Sequence, residues 1–148
     1  KIKNLDKDNE LELHFMGTAI PNLNKYGINH GRYKRGDFNK VIAEINPSFI
    51  AILSTCPETF SHTLTEGWKS GIPVIATNLG ALKERINKTN GGWLVDYKDP
   101  QAIYDKILSI DETDYLEKVE SISKIRFKSL KEMTDEYNQI YGEIADEL

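Results

Sequence analysis

Cysteine is nearly absent from this sequence, since Cys56 is the one cysteine among 148 residues. An internal disulfide is therefore impossible, and a cage of cysteine thiolates around a structural zinc ion is excluded as well. Both absences are typical of a protein that folds in a reducing compartment. No obvious base stands beside Cys56 in sequence, so we predict a small buried residue near a strand end rather than a nucleophile.

Long apolar runs and an excess of basic residues are missing too. No stretch approaches the roughly 18–20 apolar residues that a membrane span needs, and no signal peptide opens the chain. The net charge of −4 does not favour nucleic acid as a partner. We expect a cytoplasmic protein that reaches the inner face of the membrane only as part of a longer polypeptide. A start without methionine fits such a fragment.

The sequence also lacks the spacing of a metal site. Its three histidines are scattered, and no Asp-x-Asp run is present. We expect no metal and no covalently bound cofactor. His14 and His30 fall within predicted strands and are interpreted as ordinary strand residues, whereas a structural role and a place beside a ligand remain equally open for His62.

Strand and helix patterns alternate through residues 11–108. Alternating or continuous apolar runs predict strands at 11–16, 27–31, 49–53, 73–76 and 92–95. Between and after them, apolar residues at helical spacing predict helices, with Asp37 and Pro100 as start signals. The run at 49–53 is typical of a strand buried on both faces. This order predicts an α/β fold with a mainly parallel sheet flanked by helices.

Charge separates this region from the end of the chain. Residues 1–110 hold 14 basic and 12 acidic side chains, whereas residues 111–148 hold 5 basic and 11 acidic ones. The acidic part predicts a solvated helical tail rather than a ligand site. Its apolar spacing predicts two helices with a break near 125–128. We expect this tail to pack on the domain formed by residues 1–110, or on a part of the protein outside the chain.

A polar loop at 54–61 joins the strand at 49–53 to a helix. Ligands of open α/β sheets bind at the carboxyl ends of the strands, where this loop begins. The N–H groups and the dipole of the helix N-terminus favour an anion such as a diphosphate. Glu58 precedes the helix and Glu66 lies about one turn inside it. Their carboxylates could accept hydrogen bonds from the hydroxyls of a sugar and a ribose on either side of the anion.

The spacing of these glutamates resembles the paired-glutamate signature of the large retaining glycosyltransferase family four. Glu58 and Glu66 are separated by seven residues and are followed by Gly71-Ile72-Pro73-Val74 and by the Gly80 loop, as in that family. A bacterial subset, often modules of cell-surface polysaccharide enzymes, is especially similar. The resemblance covers residues 11–110 and implies one Rossmann-like half of a two-domain (GT-B) fold. It also implies a glycosyltransferase active in polysaccharide or glycoconjugate biosynthesis.

The resemblance implies a nucleoside-diphosphate sugar as donor and a role for each matching position. Glu58 would contact the donor sugar and is the candidate catalytic residue, while Glu66 would bind the ribose. The other implied donor-binding residues are Phe60, Ser61 and His62 through their backbone N–H groups, Thr63 at the distal phosphate, Arg32 and Tyr33 near the base, and Gly80 in its loop.

The sequence departs from the family in three ways. Ser61 and His62 replace a more common Gly and an aliphatic or Asn residue, with backbone donors that we expect to survive. The family's first strand and helix, with a Gly-rich turn and an Arg/Lys pair, have no match before Leu11. The acceptor domain, which would hold a saccharide or glycolipid, is absent. We therefore expect the isolated chain to be inactive.

Other interpretations of the same residues stay open. Thr63 and Glu66 fit a capping box, in which Glu66 only completes a helix N-terminus. Glu58 could be a solvated loop residue. The fold would also suit a sugar-nucleotide epimerase, whereas the phosphorylases of similar architecture need a pyridoxal-phosphate lysine for which no motif is present. The alternative from another class is a non-catalytic sugar-nucleotide-binding or interaction module of a larger protein.

Overall fold

The computed structural model of the chain describes residues 1–18 and 21–146. Within these residues, short parallel strands alternate with helices, as the sequence pattern predicted. The strands are β1 (His14–Met16), β2 (Ile28–Gly31), β3 (Ile50–Ile52), β4 (Val74–Thr77) and β5 (Gly92–Val95). The α-helices are α1 (Ile2–Leu5), α2 (Phe38–Ile45), α3 (His62–Lys69), α4 (Gly80–Thr89), α5 (Pro100–Leu108), α6 (Glu112–Ser123) and α7 (Leu130–Asp146), and two 3-10 helices span Pro21–Lys25 and Arg35–Asp37.

The five strands form two parallel sheets. The first sheet pairs β1 with β2, and its register shifts between Phe15 and Met16. The second sheet has the order β3-β4-β5, so β4 is hydrogen-bonded on both sides. The predicted mainly parallel arrangement is therefore present, divided between two sheets that share no strand pairing among the described residues.

Side-chain alternation along β4 organises the core. Val74 and Ala76 point to one face of the second sheet, where they pack with apolar residues of α3 and α4. Ile75 points to the other face and packs with Trp93, Val95 and Ile103. All four residues of β4 are buried. Trp68 and Trp93 are buried too.

The predicted burial of the strand at 49–53 is wrong on one face. Ala51 is exposed, although it lies beside the fully buried Ile75 in the pairing of β3 with β4. Helix α5 makes its main strand contacts with β5, which is the other edge of the sheet from β3. Cys56 is also exposed, contrary to prediction, because the loop after β3 runs over the surface.

The tail contains the two predicted helices with a break between Ser123 and Leu130. Ile122 of α6 is buried in the core beside α3 and α4. Along α7, by contrast, the large apolar side chains are exposed, namely Leu130, Met133, Tyr137, Ile140 and Tyr141. The division at residue 110 stays a prediction, and residues 147 and 148 of the predicted tail lie outside the described part of the chain.

Candidate functional site

The loop 54–61 lies at the carboxyl ends of the second sheet, where the sequence placed it. The hydroxyl of Thr77, at the end of β4, donates a hydrogen bond of 2.7 Å to the carbonyl of Ser54. Thr77 is fully buried, so this bond attaches the start of the loop to the core. The rest of the loop then runs across the sheet edge to α3.

Glu58 is held through its backbone by the start of α4. The N–H of Ala81 donates to the Glu58 carbonyl at 3.0 Å. Gly80 has φ +47°, and a Cβ atom there would lie 2.8 Å from the Glu58 carbonyl oxygen and 3.1 Å from its nitrogen. A side chain at position 80 would therefore push Glu58 away, so Gly80 is the residue type that lets these two loops meet.

Ser61 is the N-cap of α3 and has an uncommon backbone conformation, with φ +62° and ψ +92°. Only 5% of its surface is exposed, and its hydroxyl oxygen has no hydrogen-bond partner among the described residues. The resemblance gave glycine as the more common residue at this position. The structure supplies the physical reason, because glycine adopts positive φ without strain.

The side chains around the start of α3 are mostly exposed. Phe60 is 49% exposed, and its ring contacts the ring of His62 at a centroid distance of 5.1 Å. Thr63 is exposed in the first turn of the helix. The capping-box alternative is wrong, because Ser61 rather than Thr63 is the N-cap and no side chain caps the helix. The side chain of Ser61 therefore leaves the first N–H groups of α3 available to another acceptor.

Glu66 connects this loop to the first sheet. The hydroxyl of Tyr33 donates to a carboxylate oxygen of Glu66 at 3.4 Å, across 33 positions in sequence. The Tyr33 ring packs against Phe38 at the start of α2, with a centroid distance of 5.4 Å. Two predicted site residues from distant segments are thereby in contact.

A cavity of about 500 Å³ opens beside Tyr33, between the ends of β1 and β2 and helix α2. Arg32, Lys34 and Lys40 line it together with two acidic residues. The Nε of Arg32 donates to the hydroxyl of Thr18 at 2.9 Å, just past the end of β1. Arg32 and Tyr33 therefore border a space large enough for a small planar ligand.

Arg85 belongs to this site, although the sequence patterns gave it no role there. Its guanidinium donates to the carbonyls of Phe60 and Ser61, at 2.7 and 2.9 Å, and to the hydroxyl of Thr65, at 2.8 Å. Burial lowers the pKa of Arg85 from its high ordinary value, and the group stays protonated. Its partners lie 20 to 25 positions away, so no local pattern could have revealed them.

The predicted residues thus form two neighbouring groups. Glu58, the start of α3 and Gly80 meet at the edge of the second sheet, whereas Arg32 and Tyr33 line the cavity at the edge of the first. The bond between Tyr33 and Glu66 joins the groups. No cluster of three or more potential metal-ligating side chains occurs in residues 1–18 and 21–146.

The chain that forms this arrangement matches a known protein family. The family Glycosyl transferases group 1 matches residues 1–112, which is most of the 148-residue chain. The chain belongs to this family. The resemblance based on the paired glutamates is thereby confirmed at the level of the family.

Solved structures show the same fold. Anabaena HepE, in complex with UDP and glucose, matches with a TM-score of 0.69 at 19% identity, over 99% of this chain and 43% of its own. A glycosyltransferase from Rickettsia africae matches with a TM-score of 0.62 at 22% identity, over 97% of this chain and 43% of its own. The predicted fold class, an α/β half of the GT-B architecture, is confirmed.

A curated relative matches a shorter stretch. Sucrose-phosphate synthase 4 from Arabidopsis thaliana is 35% identical over 72 residues, which are 49% of this chain and 6% of the synthase. The chain thus spans less than half the length of these similar proteins. Among the described residues, no helix has the length and apolarity needed to cross a membrane.

Proposed function

We propose that this chain is the donor-binding half of a retaining glycosyltransferase that uses a nucleoside-diphosphate sugar. The observation that carries the proposal is the start of α3, which has no capping side chain at Ser61 and lies between Glu58 and Glu66 in sequence, with Glu66 bonded to Tyr33 at the edge of the cavity. Membership of the glycosyl transferase family supports it. HepE structures contain UDP, with glucose or as UDP-glucose, which makes UDP the first candidate nucleotide.

The diphosphate would lie at the start of α3. As the bond to the sugar breaks, negative charge develops on the diphosphate and the sugar gains oxocarbenium character. The N–H groups and the dipole of α3 stabilise an anion in this position. Side-chain hydroxyls such as that of Thr63, exposed in the first turn, add a further donor toward the distal phosphate.

The two carboxylates would orient the two sugars of the donor. Glu66 binds the ribose hydroxyls, beside a cavity where Arg32 and Tyr33 meet the base. Glu58, fixed by Gly80 and Ala81, contacts the hydroxyls of the transferred sugar. An ionised carboxylate accepts hydrogen bonds from such hydroxyls, which gives both residues a chemical reason to be there.

The acceptor would bind to a second domain outside this chain. The solved relatives are more than twice as long as the part that matches here. A saccharide or glycolipid acceptor and a role in polysaccharide or glycoconjugate biosynthesis complete the proposal. Transfer then occurs in the cytoplasm or at the inner membrane face, and this half alone is inactive.

Calorimetry on the full-length protein tests the donor site. Wild-type protein is titrated with UDP, GDP and ADP, and we expect UDP to bind most tightly. Glu66→Gln should weaken binding of the preferred nucleotide by about tenfold, because a hydrogen bond to a charged group contributes roughly 1.5–3 kcal/mol. Glu84→Gln is the matched control, since Glu84 is an exposed glutamate on α4. No binding of any of the three nucleotides would contradict the proposal.

A transfer assay on the same full-length protein separates an enzyme from a binding module. Glu58→Gln should lower the transfer rate by about 100-fold, since interactions that strengthen in the transition state carry effects of this size. Nucleotide binding should change little. Binding without transfer by the wild-type protein, with its acceptor domain present and the nucleotide sugar and acceptor varied, would favour the non-catalytic module instead.

A further inference from the structure

We propose that Arg85 is a positioning residue for the donor diphosphate, an inference that rests on the proposed function. Arg85 holds two consecutive carbonyls of the loop before α3, and by doing so it directs the N–H groups of Ser61 and His62 toward the ligand. Arg85 itself acts through these backbone hydrogen bonds rather than by contact with the donor.

The hydrogen bonds of Arg85 come from one planar group. Nη1 donates to the Phe60 carbonyl at 2.7 Å and to the Ser61 carbonyl at 2.9 Å. Nη2 donates to the hydroxyl of Thr65 at 2.8 Å, one turn into α3. The fixed fork of a guanidinium thus joins the loop to the helix that follows it.

The geometry of the peptide group relates the direction of these two carbonyls to the direction of the N–H groups that follow them. In a planar trans peptide, the C=O of one residue and the N–H of the next point in opposite directions. The described chain contains no cis peptide bond. Because the Phe60 and Ser61 carbonyls point to Arg85, the N–H groups of Ser61 and His62 point away from it. No acceptor among the described residues meets either N–H.

The strain at Ser61 explains why such a clamp is needed. A non-glycine residue at φ +62° costs free energy and persists only where its surroundings enforce it. The Ser61 hydroxyl contributes no hydrogen bond to this conformation. The structure shows the contacts that enforce it. Arg85 bonds the carbonyl before the Ser61 nitrogen, which is that of Phe60, and the carbonyl after the Ser61 α-carbon, which is that of Ser61 itself.

Aromatic rings hold the guanidinium in place. Its central carbon lies 4.4 Å from the centre of the Phe60 ring and 5.1 Å from that of Trp68. Trp68 is buried and donates to the Gly91 carbonyl at 2.8 Å, so it is a rigid support. A flat guanidinium fits between rings and carbonyls in a way that a lysine ammonium cannot reproduce.

The test compares a diphosphate with its nucleoside in the full-length protein. Calorimetry identifies the preferred nucleotide among UDP, GDP and ADP, and ligand-observed NMR measures the corresponding nucleoside, uridine for UDP. Arg85→Met should raise the diphosphate Kd about 10- to 100-fold, because two N–H groups no longer face it. The nucleoside Kd should stay within about twofold. Lys83→Met is the control, since Lys83 is an exposed cation on the same helix.

Arg85→Lys distinguishes the fork from the charge alone. Lysine keeps the positive charge but cannot hold two carbonyls and a hydroxyl in one plane, so only part of the lost affinity should return. Full recovery by lysine would overturn the inference, as would equal losses for diphosphate and nucleoside in Arg85→Met. A wild-type protein that binds none of the diphosphates would overturn the proposed function itself, and wild-type binding with unchanged Arg85→Met would overturn only this inference.

Discussion

The two sheets of this chain differ in how well they are covered, although both are parallel and both carry part of the candidate site. Every residue of β4 in the second sheet is buried, and helices pack on both of its faces. In the first sheet, β1 is half-buried and three of the four residues of β2 are exposed. The apolar core of the chain is therefore built around the second sheet.

Because of this difference, the two parts of the proposed donor site are attached to sheets that are packed to different extents. The loop proposed to bind sugar and diphosphate is attached to the covered sheet through Thr77, Gly80 and Arg85. The cavity proposed for the nucleoside lies at the less covered sheet and reaches the loop through Tyr33 and Glu66. A preorganised environment matters most where charge develops in the transition state. In the proposed site that is the loop for sugar and diphosphate, which is attached to the well-covered second sheet.

Truncating the same residue type in each sheet should show the largest contrast. Ile75 in β4 is fully buried, whereas Ile28 in β2 is 50% exposed. We expect Ile75→Ala to lower the free energy of unfolding by about 2–5 kcal/mol, through lost burial and a cavity. Ile28→Ala should cost less than about 1 kcal/mol. Urea unfolding measures both, Ile75→Val serves if the alanine variant does not fold, and equal costs would contradict the comparison.

Adding a methyl group at equivalent glycines should give a smaller contrast. A Cβ at Gly92 would lie 2.0 Å from the carbonyl oxygen of Val74, and one at Gly27 would lie 2.1 Å from that of Leu13. The neighbouring strand must move in both cases. We expect Gly92→Ala to cost about 1–3 kcal/mol in the closely packed sheet. Gly27→Ala should cost about 1 kcal/mol or less, because the adjoining β2 is mostly exposed and few packed side chains resist its movement. A reversed order in thermal unfolding would refute this explanation.

Ser61, at the start of α3, has a strained backbone, so a substitution there should stabilise the fold. Ser61→Gly removes both a positive φ at a non-glycine residue and a buried hydroxyl without a partner. These gains exceed the entropy cost of glycine, and we expect a net gain of about 1 kcal/mol. Ser61→Ala, which removes the hydroxyl but keeps the strain, is the matched comparison. A loss of stability in Ser61→Gly would show that the strain assignment is wrong.

The same contrast explains which parts of the fold were predictable from sequence. Continuous apolar runs and helical spacing revealed the elements around the covered core, because burial imposes those patterns. Helix α1, at Ile2–Leu5, was missed because four residues are too few to show a helical period. The exposure of Ala51 was missed because no local pattern shows which parts of a sheet face the helices leave uncovered.

The candidate site was predictable where a motif marks it and not where a distant contact makes it. Glu58, Glu66 and Gly80 lie in one segment whose spacing resembles a known family, and the structure brings Gly80 against Glu58. Their roles with a ligand stay predictions. Arg85 was not predicted as a site residue, since its importance comes from carbonyls of the loop across 24 and 25 positions. Every residue has a backbone carbonyl, so the sequence does not show which carbonyls accept the hydrogen bonds of a distant side chain.

Acid should slightly lower the free energy of unfolding, through interactions of Asp114 around the second sheet. Burial alone would raise the pKa of Asp114, but a 2.7 Å hydrogen bond from Trp93 and the charges of Lys106 and Lys118 outweigh it and hold the pKa below its ordinary value. A carboxylate with a lowered folded-state pKa stabilises the fold above its unfolded pKa. This stabilisation is lost as the pH falls through the folded pKa, so the window lies below about pH 4.

Asp114→Asn should remove this acid-dependent part, which we expect to be less than about 1 kcal/mol because the side chain is 29% exposed. Urea unfolding between pH 7 and pH 3 measures it, with exposed Asp135→Asn as the control. Trp93 is in β5 and Lys106 is in α5, so at low pH the protection factors, which are corrected for the pH dependence of intrinsic hydrogen exchange, should fall around the second sheet and stay unchanged in β1 and β2. An equal fall in both sheets would mean that they unfold as one unit despite their unequal cover.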